Sequence, residues 1–151
     1  MSLLASKAYD PAVAVTKATS ALLAMTAFDT TNLRNTFVAP ANGAVLIRMQ
    51  SVLHGATTVP QTLFGLLNGA AVIGPRVAPM ISGGNLAATT FFKAEASWVV
   101  AGLTPGTTYN LDAAYCVETL VALTGYKYGG PNNIVANDAF GGFNYEVWTT
   151  A

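Results

Sequence analysis

His54 is the only histidine of the chain and Cys116 its only cysteine. Brought together they would make a nucleophilic pair, with the imidazole as general base for the thiol or for a serine. The local sequence argues for a plainer reading of both. Asp112 and Glu118 flank Cys116, and neighbouring carboxylates raise a thiol's pKa, so Cys116 reads as a half-buried, unreactive thiol. His54 falls on the polar side of its strand next to Gly55 and reads as a surface imidazole. The seven carboxylates are Asp10, Asp29, Glu95, Asp112, Glu118, Asp138 and Glu146. Two of them could assemble a glycosidase-type acid pair, but no spacing selects which two. No Cys/His set has zinc spacing, and Asp112 and Glu118 lack the further oxygen ligands of a calcium loop. The paired glycines 83–84, 129–130 and 141–142 are not followed by Lys-Ser/Thr, so they read as turns and not as phosphate cradles. The expectation is a chain with no catalytic residue, no metal and no cofactor.

The aromatic residues point to contact with other protein. Trp148 sits among polar neighbours on the outer side of the last strand. Phe91 shares a side with Lys93, Glu95 and Ser97, while Phe92, Ala94, Ala96, Trp98 and Val100 make the apolar side. Large aromatics on an otherwise polar face suit an interface anchor. Tyr126 and Tyr128 precede Gly129 and could line a subunit seam or a carbohydrate groove.

Composition agrees with association. Of 151 residues, seven are Lys or Arg and seven are Asp or Glu, 9% in all, while 52% are hydrophobic. Soluble domains carry about 25% charged residues, so a solitary globule would be poorly hydrated. The seven cations stand singly and the formal charge is zero, which gives no basic stripe for nucleic acid. Polar residues and Pro60 interrupt the uncharged stretch 49–75, so no membrane helix is expected there. The N-terminus, with Lys7, Asp10 and Pro11, does not resemble an export signal.

The elements that would position these residues are strands. Turn chemistry recurs at 29–32, 40–43, 68–69, 83–85, 104–106 and 129–133, as in an all-β sandwich or barrel. Two-residue alternation is clearest in 43–54, in 107–118 and in the run carrying Phe143, Tyr145 and Val147. Further strands are expected at 21–29, 61–67, 71–81, 89–100 and 119–128, about eight in total. Pro75 and Pro79 make the 71–81 strand an edge or a bulged one. The best place for a helix, a turn or two, is 16–25. Residues 1–20 read as an extended arm, ordered on a partner, and 21–151 as the domain.

The stretch Thr36-Phe-Val-Ala-Pro-Ala-Asn-Gly-Ala-Val-Leu-Ile-Arg48, then Gly102-Leu-Thr-Pro-Gly-Thr-Thr-Tyr109 and a closing Val147-Trp148, resembles jelly-roll modules of the tumour-necrosis-factor and complement type found in tailed-bacteriophage virion proteins. The resemblance implies an antiparallel β-sandwich of jelly-roll type with an extended N-terminal arm, assembled as a homotrimer. It implies a capsid decoration, or cement, protein of the virion that bridges subunits of the major capsid protein or another virion protein. Leu3, Leu4, Tyr9, Phe91, Tyr126, Tyr128 and Trp148 would then be the contacts to sister subunits or shell. The alternative is a tail or baseplate module of similar fold that binds carbohydrate.

Overall fold

The computed structural model describes residues 1–11, 15–17, 24–54, 62–82, 92–117, 126–129 and 142–151. In chain order its strands are β1 (Leu3–Tyr9), β2 (Val15–Lys17), β3 (Thr26–Ala27), β4 (Arg34–Val38), β5 (Val45–His54) and β6 (Thr62–Asn68). They are followed by β7 (Ala71–Val77), β8 (Met80–Ser82), β9 (Phe92–Val100), β10 (Thr108–Val117), β11 (Tyr126–Tyr128) and β12 (Phe143–Thr149).

They form two sheets, and every ladder is antiparallel. In the first, β9 lies on one side of β5. β12 and β11 share the other side, one after the other, with β1 and β2 outside them and β8 outside β9. In the second, β7 pairs with β6, β6 with β10, and β10 with both β3 and β4 along its far side. With the interrupted strands β1/β2, β3/β4 and β11/β12 each occupying one position, and β8 as an edge extension, each sheet has four positions. The fold is an all-β sandwich with jelly-roll connectivity, as expected from the sequence.

Alternation explains why these segments pair as they do. Val45, Ile47, Met49 and Leu53 of β5 and Phe143, Tyr145 and Val147 of β12 are buried to about 0–1% exposure against the second sheet. Leu111, Ala113 and Tyr115 of β10, with Phe64 and Leu66 of β6, supply the facing layer. Phe28 plugs the space between the sheets, its ring centroid 4.6 Å from Phe143, 4.8 Å from Tyr115, 5.7 Å from Phe64 and 6.0 Å from Tyr128. Asp29 then turns the chain, its Oδ1 accepting the N–H groups of Thr31 at 2.8 Å and Asn32 at 2.7 Å. This turn interrupts β3/β4, and Leu33 returns to the core.

Four expectations change. The 71–81 run is two strands in different sheets: β7 is the edge of the second sheet and β8 the edge of the first. Pro75 and Pro79 fall at that irregular edge, where a missing N–H is tolerated. The helix expected near 16–25 is not there in the described part, because Thr16 and Lys17 pair with β11 and Thr26–Ala27 is β3. The N-terminal segment is extended, but in the single chain it is already a sheet strand, with Ala5 opposite Val147 and Tyr9 opposite Phe143. Lastly, β10 is central and buried on both faces from Leu111 to Val117, so Asp112 and Cys116 lie on a covered face of the second sheet.

Candidate interaction surface

The outer face of the first sheet carries the most distinctive arrangement of side chains. Register places Leu3 of β1 opposite Trp148 of β12, Trp148 opposite Leu46 of β5, and Leu46 opposite Val99 of β9. One outward apolar residue from each of four strands thus makes a continuous row across the sheet. Leu3 is 47% and Val99 52% exposed, while Leu46 and Trp148 are half-buried. Trp148 is held in place by its own strand, since its indole Nε1 donates to Glu146 Oε2 at 2.7 Å.

The next two rows are polar at their centre, the second ending on Ala8 and the exposed Met80. Ser97, Arg48, Glu146 and Ser6 form one, with Arg48 Nη1 3.7 Å from Glu146 Oε2. Glu95, Gln50 and Asn144 belong to the other, and Lys93 Nζ lies 3.5 Å from Glu95 Oε2. Between them is a depression of about 40 Å³ bordered by both glutamates, room for a few waters and not for a sugar ring. A wider groove of about 360 Å³ opens beside Met80 and Val77 at the β8 edge.

The strands that carry His54 and Cys116 belong to different sheets. His54 ends β5 in the first sheet, where its backbone pairs opposite Lys127; its side chain lies outside the described residues. Cys116 is in β10 of the second sheet and 1% exposed. Burial pushes its thiol pKa up, against the opposing effect of the Arg76 guanidinium that hydrogen-bonds it. The expected direction holds, but burial causes it and not the flanking carboxylates. Asp112 accepts two hydrogen bonds from Arg34, Nε at 2.7 Å and Nη2 at 2.8 Å. That fork raises the Arg34 pKa and commits the carboxylate to a structural pair. Among the described residues no three His, Cys, Asp or Glu side chains converge on a metal-sized site.

The interface residues expected from sequence divide as follows. Leu3 and Trp148 stand in the apolar row. Leu4, beside the bulge between Leu3 and Ala5, and Tyr9 are half-buried and turned to the core; the Tyr9 ring meets that of Tyr128 edge-on at 6.4 Å. Tyr128 is fully buried, with its hydroxyl 3.4 Å from the Phe28 carbonyl oxygen, so it packs the core and presents no surface to a partner. Phe91 and the Tyr126 side chain lie outside the described residues. Leu46 and Val99 were not singled out by the sequence, because each is an ordinary apolar residue in its own strand and only cross-strand register joins it to Trp148. No protein-family model matches this chain, and no curated protein is found to be similar to it.

Proposed function

We propose that this chain is a non-enzymatic structural protein of a bacteriophage particle, a homotrimer that decorates the capsid and stabilises it by bridging subunits of the major capsid protein. The observation that carries the reading is the apolar row of Leu3, Trp148, Leu46 and Val99 on an open sheet face, in a chain with only 14 charged residues. Burying such surface stabilises an assembly by about 25 cal/mol per Å², and the role requires no reactive centre. The jelly-roll connectivity and the phage-module resemblance of residues 36–48 and 102–109 support the same reading. Adding the purified chain to capsids that lack it tests the role. Saturable co-sedimentation and a higher temperature of capsid disruption are expected; no binding at any concentration would reject it.

A second reading, a tail or baseplate module that binds glycans, draws on Trp148 lying next to Glu146, with Asn144 and Gln50 in a neighbouring row. Screening the isolated protein on a glycan array tests that reading, and binding abolished by Trp148→Ala would favour it over the first.

A further inference from the structure

We infer that the uncovered part of β9, Ala96–Val100, is a docking site for a short extended segment of a partner protein, which joins the first sheet as a further strand. This site is separate from the capsid role and does not depend on it.

β5 pairs with β9 along its whole length, from Val45 opposite Val100 to Leu53 opposite Phe92. On the other side of β9, β8 covers only Lys93 to Glu95. Among the described residues no strand pairs with Ala96–Val100 on that side. β7 comes close, since a Cβ on Gly74 would lie 3.0 Å from Val100 Cγ2, but its ladder is with β6. Alternate residues of an antiparallel strand turn both backbone groups to the same neighbour, so every second residue of this segment points its N–H and C=O away from β5. Edges of this kind are normally blunted by charge, proline or a bulge. β1 carries Lys7 and a bulge, and β7 carries Pro75 and Arg76 on an irregular ladder. Ala96-Ser-Trp-Val-Val100 has no charge, no proline and an unbroken register.

The complement of free backbone groups in a row is another extended backbone. The open length is about 17 Å. β8 closes it at one end, where Met80 stands opposite Glu95, and Gly102 at the other, where a φ of +80° takes the chain out of the strand. That admits a tail or loop of about five residues and not the long edge of another sheet. Beside it lies the groove of about 360 Å³ lined by Val77, Ala78, Met80, Glu95, Ala96 and Ser97, large enough to receive apolar side chains from one face of the segment. On the other face, an apolar residue opposite Val99 would prolong the row of Leu3, Trp148, Leu46 and Val99 and cover Val99, which is 52% exposed.

The probe is a library of capped peptides about seven residues long, Lys at each end and Val, Ile, Leu, Phe or Thr varied between, presented to the full-length chain. At least one member should bind one-to-one with a Kd below about 100 μM and slow hydrogen exchange at alternate amides of Ala96–Val100. N-methylation of that peptide at every second residue should weaken it at least about 10-fold, and at the intervening residues should not. Ser97→Lys/Val99→Lys, at two exposed positions, should keep the unfolding temperature and weaken the peptide at least about 10-fold. Val72→Lys, exposed on β7, should leave binding unchanged. No binding by any member up to about 1 mM overturns the proposal, as does binding that leaves Ala96–Val100 unprotected or ignores N-methylation. Amides of Ala96–Val100 that are already protected in a self-associated wild type, and exposed on dilution, would give the edge to a second copy and also overturn it. Should the double variant not fold, the exchange and N-methylation patterns on the wild type decide alone. Capsid co-sedimentation is read separately, so either reading can fail without the other.

Discussion

Phe28 joins the two sheets through four aromatic rings, so its loss should be felt by both. Phe28→Ala is expected to cost about 3–5 kcal/mol, read from urea or thermal unfolding. Tyr145 gives the opposite expectation. Its ring is in the core, and among the described residues its hydroxyl has no hydrogen-bond partner. Tyr145→Phe removes a desolvated polar group and should stabilise the fold by about 1 kcal/mol; a loss of similar size would show that the hydroxyl is satisfied. Burial raises the pKa of Tyr145, of Tyr128 and of Tyr115 above that of a free tyrosine, the nearby charges of Asp112 and Asp29 adding to the effect at Tyr145 and Tyr128 respectively. A raised acid pKa means that the folded state holds its proton more tightly. The stabilisation is thus fully present below the unfolded pKa of about 10 and is lost as pH rises above it. The unfolding temperature should fall steeply above about pH 10, and the tyrosinate absorbance of these three residues should appear only with unfolding. At this scale the sequence told much about alternation and little about neighbours. It identified Tyr145 and Phe143 as inward, but Tyr128, next to Gly129 and outside any long alternating run, could not be separated from a surface aromatic.

The strands that were legible are those whose side chains alternate in kind. β5, β9 and β12 have one buried face against an apolar layer, and β10 alternates in sequence although both of its faces are buried from Leu111 to Val117. β1 gave no such signal, since the bulge between Leu3 and Ala5 breaks its phase and only Leu4, Ala5 and Tyr9 of this edge strand are half-buried. It therefore read as an arm. β7 and β8 read as one strand because the chain leaves one sheet and joins the other over two residues, and Pro79 marks an edge without saying of which sheet. The place where β1 and β12 lie beside Gly129 and Gly142 can be tested directly. A Cβ at Gly142 would sit 2.5 Å from the Tyr9 carbonyl oxygen and 2.9 Å from Asp10 Cα, and one at Gly129, where φ is +70°, would collide with Pro11. These neighbours are backbone or ring atoms that cannot swing away. Gly142→Ala should lift the end of β1 from β12 and destabilise the chain by more than about 1 kcal/mol. Hydrogen exchange should report it as faster exchange confined to the β1 and β12 amides, and unchanged protection there would contradict the packing.

Across the whole molecule, local pattern and assembly separate. The sandwich was readable because alternation and turn residues repeat along the chain. The apolar row was not, because residues 3, 46, 99 and 148 become neighbours only when four strands are in register. What composition did convey was the shortage of charge on which the proposed association is based, with 14 ionic side chains spread over 151 residues. The core satisfies part of that apolar content, and the open face of the first sheet holds Leu3 and Val99 in water until something covers them. The most direct measurement is the native mass of the purified wild-type chain as it is diluted. The account predicts three copies of the 15.6 kDa chain, separating only at low concentration. A single 15.6 kDa species that stays soluble at high concentration would contradict it.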